Sequence, residues 1–213
     1  MLIHLIKKDF LIVKKYVLIV LAVCVIFPIF LIWRLPEYAG VMGYILTTIF
    51  SIFMLLQYVS LKESQYPKAS TLLCATPYPR KMLVLAKYAF CLIVFCACSL
   101  IFWIETLFLP QLGVFHFEMF VMMLLVISVF LGIYLPVQYK LGYEKTKFFF
   151  GVIIMGSPFI LPLLLKLENR LNIDFINMFN SRALYSGGLL ISLTIFVISV
   201  FVSIKIYNKS DLA

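Results

Sequence analysis

Apolar residues in this chain gather in six long runs, separated by shorter polar or basic stretches. The runs lie at about 16–34, 40–60, 83–109, 118–138, 148–165 and 187–206. Each is close to the roughly 20 helical residues that a hydrocarbon core of about 30 Å requires. The runs are continuously apolar, whereas strands of a membrane barrel alternate with a period of two. The pattern therefore predicts an all-α integral membrane protein, with six transmembrane helices in a single domain over 1–213.

Three segments outside the runs have a periodicity of their own. In residues 1–15, Leu2, Ile6, Phe10 and Val13 recur at steps of four, four and three, opposite His4, Lys7, Lys8, Lys14 and Lys15, with Leu11 as the one intruder. A basic face opposite an apolar face predicts an amphipathic helix lying in the membrane interface. A charged extension of the first span fits the same residues. In residues 61–82, Pro67 suits the first turn of a helix. A short helix over 68–75 is then stopped by Thr76-Pro77-Tyr78-Pro79. Leu72 and Leu73 within this loop need an apolar cover, from the headgroup boundary or from a partner protein. In residues 166–186, Leu167, Leu171, Phe175 and Met178 repeat the helical step among Glu168, Asn169, Arg170, Asn172 and Asp174. This predicts an external interfacial or re-entrant helix between the fifth and sixth spans.

Composition removes the soluble alternative. Hydrophobic residues make up 64% of the chain and charged residues 13%, and a soluble domain of this size exposes too much surface to hide that much apolar area. Lys and Arg number 18 against 9 acids, a balance that would suggest nucleic acid in a soluble protein. Here the basic residues cluster between the apolar runs, so they fit lipid headgroups and membrane topology instead, and no nucleic-acid partner is expected. Fourteen lie on one side, among them Lys7, Lys8, Lys14, Lys15, Lys68, Arg80, Lys81, Lys87 and Lys145. Four lie on the other, Arg34, Lys166, Arg170 and Arg182. The positive-inside rule then puts both termini in the cytoplasm, as an even number of spans requires. The first run has no small-residue cleavage site and reads as a span rather than a signal peptide.

Covalent chemistry finds little support. There is no Gly-x-x-x-x-Gly-Lys-Ser/Thr loop; Gly142-Tyr-Glu-Lys-Thr146 lacks the glycine spacing. His4 and His116 fall on opposite sides of the predicted membrane, which excludes a shared metal or a histidine pair. Cys24, Cys74, Cys91, Cys96 and Cys98 imply no disulfide framework, and Cys91, Cys96 and Cys98, in an apolar run without a paired His, read as small apolar helix residues rather than a metal cluster. Two acids, Glu105 and Glu118, sit at the outer ends of apolar runs, where a carboxylate is a candidate for handling substrate or ions. Thr47, Thr48, Ser51 and Gln57 on the second span either line a path or bond across helices. Pro158 and Pro162, after Gly151 and Gly156, predict a kink or break in the fifth helix, a feature that also marks substrate paths in transporters.

The layout resembles the permease subunits of ABC exporters of the type-two class, in the short bacterial form without a fused ATPase domain. The resemblance is carried by Leu5-Ile-Lys-Lys-Asp-Phe10 running on to Lys14-Lys15-Tyr16, by Thr71-Leu-Leu-Cys-Ala-Thr-Pro-Tyr-Pro-Arg80 leading into Val84-Leu-Ala-Lys-Tyr88, and by the ending Lys205-Ile-Tyr-Asn-Lys-Ser-Asp-Leu212. Thr76 stands where Leu is common before the proline. The resemblance implies a homo- or heterodimer of permeases in the bacterial plasma membrane, bound to two cytoplasmic ABC ATPases that hold the ATP and Mg. This chain would be no enzyme and would need no cofactor of its own. Lys68, Leu72, Leu73, Thr76, Pro77, Tyr78, Arg80 and Lys81 would form the cytoplasmic coupling helix and its turn against the ATPase. The cargo would be hydrophobic or amphipathic (a lipid, a drug or an antimicrobial peptide), and exporters of phenol-soluble modulins look most similar. Two other readings compete: a stand-alone secondary transporter, and an accessory or immunity protein that binds a peptide without moving it.

Overall fold

The computed structural model describes residues 2–34, 39–65, 79–171 and 182–209. They form six helices: α1 (Leu2–Arg34), α2 (Ala39–Gln65), α3 (Arg80–Phe108), α4 (Phe117–Leu141), α5 (Tyr143–Leu171) and α6 (Arg182–Lys209), with a 3-10 turn at Pro110–Leu112 after α3. No strand occurs among the described residues. By length and composition α1, α2, α3, α4 and α6 can each cross a membrane. Five candidate spans are thus found among the described residues, and the expected sixth, on α5, rests on the apolar run 148–165 of the sequence.

The first helix corrects one expectation. Residues 2–15 do not form a separate interfacial helix; they continue into the first span as one helix of 33 residues. The chain from Leu2 to Phe27 contains no Gly or Pro to stop it. Leu5, Asp9, Val13, Val20, Cys24, Pro28 and Leu31 form one buried stripe along its whole length. Of the apolar residues in the N-terminal pattern, Val13 lies in this stripe and Leu2, Ile6 and Phe10 flank it half-buried, while His4, Lys7, Lys14 and Lys15 are exposed.

Two further expectations shift. The helix α5 runs without interruption through Pro158 and Pro162, so the broken fifth helix is not seen. Residues 166–171 belong to the end of α5 and 182–186 to the start of α6, which leaves only 172–181, outside the described residues, for an external helix. The coupling segment, with Lys68, Leu72, Leu73, Thr76, Pro77 and Tyr78, also lies outside the described residues. On its far side Pro79 caps α3 with φ −64° and ψ 139°, an extended conformation that suits the residue before a helix.

Packing divides into two parts that share a core. One is α1 against α2 and α3; the other is α4 against α6, the most extensive helix pair, with α3 touching α6 and α5 lying on α2 and α4. The buried stripe of α6 consists of Gly188, Ser192, Ser199 and Ser203, and Gly132 of α4 faces Ile195 and Ser199. In lipid there is no hydrophobic drive to bring helices together, so close approach along small residues supplies the attraction. The remaining apolar surface of α6, such as Leu190, Ile198 and Phe201, is exposed, as a helix facing acyl chains should be. Large side chains fill the shared core, including Tyr88, Phe90, Phe95, Tyr134, Leu56 and Leu131.

At the end of the bundle opposite the N-terminus, the 3-10 turn folds back over α2. The carbonyl of Leu112 lies where a side chain on Gly40 would begin, so the close approach requires glycine there. At the N-terminal end, Gly142 alone joins α4 to α5 with φ 82°, a conformation that L-residues with side chains rarely adopt.

Candidate functional site

The charged side chains gather where α1 begins, α2 ends and α3 begins. Glu63, two residues before the end of α2, lies 2.5 Å from Lys87 Nζ of α3 and 3.5 Å from Lys8 Nζ of α1. Lys8 also lies 3.2 Å from Asp9 Oδ1. Asp9 occupies the packed stripe of α1 and is only 2% exposed. The Lys87 ammonium sits 5.5 Å from the ring centre of Tyr139 of α4, whose ring is 5.1 Å from that of Tyr207 of α6. One neutral cluster of two cations and two anions thus joins three helices directly and touches two more. Buried charges are tolerated when they are paired in this way, and removing one partner strands the others.

Polar contacts extend from this cluster toward the middle of the bundle. Gln138 of α4 donates to the Ser60 hydroxyl of α2. Gln57 Nε2 lies 3.2 Å from the Tyr134 hydroxyl, and Tyr88 of α3 bonds Ser203 Oγ of α6 at 2.8 Å as well as Ser199. Cross-helix bonds of this kind each contribute roughly 0.6 kcal/mol, up to about 2, in a membrane bundle.

Of the residues singled out as a path, Ser51 falls at the α1–α2–α3 interface. Thr47, Thr48 and Ser51 are buried, and each hydroxyl donates to the carbonyl four residues back: Thr47 to Gly43, Thr48 to Tyr44 at 2.7 Å and Ser51 to Thr47 at 2.6 Å. Ser51 Oγ also lies 3.2 Å from Cys24 Sγ, which is 3.8 Å from Cys98 Sγ. Tyr44 bonds Ser99 Oγ at 2.7 Å. Gln57 stands apart from them, toward α4. Pro158 and Pro162 lie in α5, and Arg80 and Lys81 open α3, where Lys81 is exposed.

The two outer acids part company. Glu118 is exposed in the first turn of α4. Glu105, one turn before the end of α3, is 8% exposed and neither of its carboxylate oxygens has a hydrogen-bond partner. On a different face of α3, an open groove of about 480 Å³ is lined by Cys96, Trp103, Phe115, Phe117 and Phe120 among others, and Glu105 is not part of it.

Sequence reading assigned no role to Asp9 and Glu63, treated Lys87 as a marker of topology, and placed Lys8 on the polar face of an interfacial helix, whereas the structure pairs it with Asp9 and Glu63. A signal was present for Lys87. Val84, Cys91, Val94 and Cys98 recur at helical steps and are buried, and position 87 falls on that same face.

These observations define a helical membrane protein whose charged groups tie helices together at the end from which the 66–78 segment emerges. The sequence pattern of the ABC-2 family transporter proteins matches residues 4–208, and the chain belongs to that family. It is therefore a membrane transport component of the ABC-2 type and not itself catalytic. No curated protein and no solved structure matches the chain.

Proposed function

We propose that this protein is the transmembrane subunit of an ATP-driven exporter in a bacterial plasma membrane, with both termini in the cytoplasm. Two such subunits, identical or paralogous, would sit on two soluble ABC ATPases that carry ATP and Mg. The cargo would be a hydrophobic or amphipathic molecule, such as a peptide, drug or lipid, entering from the inner leaflet. The single observation that supports this most strongly is the family match along nearly the whole chain, in a sequence that has no phosphate loop of its own.

The attachment point would be the segment joining α2 to α3. Leu72 and Leu73 would seat in a groove of the ATPase, flanked by Lys68, Thr76, Pro77 and Tyr78, while Arg80 and Lys81 add charged contacts. ATP-driven closure of the ATPases would pull on this segment and switch a cavity between the subunits from inward- to outward-facing. The test is co-purification in mild detergent. Wild-type protein should bring down an ATPase subunit, and the Leu72→Asp/Leu73→Asp double variant should insert normally but lose it. An undiminished yield of ATPase with the double variant would overturn the attachment.

A further inference from the structure

The charged cluster lies on the only covalent routes by which a load on residues 66–78 enters the described helices. Those routes are Gln65 at the end of α2 and Pro79 at the start of α3. Glu63 is two residues inside the first route and Lys87 eight residues inside the second. Their 2.5 Å contact spans the two helices just beyond the points of entry. From Glu63 a second contact reaches Lys8 on α1. From Lys87 the Tyr139 ring leads to α4.

We infer that Glu63 is a positioning residue that makes α1, α2 and α3 respond as one body to the motor at residues 66–78. The inference rests on the proposed attachment of an ATPase there. Its physical basis is the sign of the charges. Without the Glu63 carboxylate, Lys8 keeps only Asp9 and Lys87 loses its 2.5 Å partner, so the cluster carries one excess positive charge and the ends of α2 and α3 lose the contact that opposes splaying. Pull on the segment then separates the two helix ends instead of moving the bundle. Lys87 is 8% exposed, so water replaces little of what the carboxylate supplied.

The prediction is a loss of transmission without a loss of assembly. The reporter is Cys96, exposed on α3 while Cys24, Cys91 and Cys98 are buried. A bimane fluorophore is attached to it in a Cys74→Ser background that still co-purifies with the ATPase. On adding Mg-ATP to the purified complex, the parent protein should show a fluorescence change. In Glu63→Gln, ATPase co-purification and basal hydrolysis should be kept, while the change at Cys96 shrinks by about tenfold, within the span of ordinary coupling free energies. Lys87→Met should reproduce the effect, and the double variant should be no worse than either single one, because both remove the same contact. Lys87→Met also serves if Glu63→Gln fails to fold, since Glu63 then keeps Lys8. A merely structural role would lower thermal stability and complex yield together and leave the response of surviving complexes intact. An unchanged response in Glu63→Gln, additive effects of the two substitutions, or no response in the parent overturns the inference alone. Absence of any ATPase overturns the proposed function, and this inference with it.

Discussion

The unpartnered carboxylate of Glu105 gives a stability prediction with a sign opposite to that of most substitutions in a packed bundle. Glu105 is 8% exposed and both Oε atoms lack a partner. A buried polar group left unsatisfied costs about 1–3 kcal/mol, and more if it is charged. Met has a similar length and similar helix propensity and carries no strong hydrogen-bonding atom, so Glu105→Met removes both orphaned oxygens at little packing cost. The expected gain is about 1–3 kcal/mol, or a rise in melting temperature of about 2–12 °C for a chain of this size. Glu105→Gln should gain less, because its amide still lacks partners. The assay is thermal unfolding of the purified protein in one detergent, followed by intrinsic fluorescence, for Glu, Gln and Met at position 105. The order Met above Gln above Glu supports the reasoning. A Met variant that melts lower than wild type would refute it, since it would show that the carboxyl makes a bond stronger than its burial cost. Under the proposed function the Met variant is stabilised and still binds the ATPase.

Two other predictions test the packing. In Gly40→Ala the new methyl meets the Leu112 backbone carbonyl, which cannot rotate away, so stability should fall by about 1–3 kcal/mol; unchanged thermal unfolding would show that the 3-10 turn does not lie on α2. Copper–phenanthroline oxidation should join Cys24 of α1 to Cys98 of α3, whose sulfurs are 3.8 Å apart, and so remove two thiols from maleimide labelling under denaturing conditions. Cys24→Ser should restore one of them, and labelling unaffected by the oxidant would refute the register of α1 against α3.

The helices were legible because each apolar run is a direct record of its solvent. The expected span at 83–109 appears as Arg80–Phe108 and that at 118–138 as Phe117–Leu141, with ends displaced by the turns that project beyond the apolar core. The N-terminal helix was harder to read. The spacing of its apolar residues is the same whether the face meets lipid headgroups or α2 and α3, and contacts such as that of Phe10 with Phe90, at 4.7 Å between rings, tell the two apart. The charged cluster was hidden for a related reason. Glu63 meets partners 55 and 24 residues away, and a single charge near the end of an apolar run looks the same whether it faces water or another helix. Only the helical register of Lys87 with Val84 and Cys91 betrays the inward direction. The residues proposed to meet the motor, Leu72 and Leu73, stand out in sequence as an apolar pair in a polar loop, and that remains their support.

The continuity of α1 has a mechanical consequence. At 1.5 Å per residue its 33 residues extend about 50 Å, beyond the roughly 30 Å of a hydrocarbon core. One continuous helix therefore connects Lys8 and Asp9, at the end where α2 stops and α3 starts, with Arg34 at the other, and Pro28 is its one internal proline. A tilt of about 10° around the middle of such a helix carries each tip about 4 Å in opposite directions. Gly43 lets α2 approach α1 near Pro28 and Leu31, with a side-chain carbon of each within 3.7 Å of where its Cβ would lie, and so supplies a close contact past which that swing can turn.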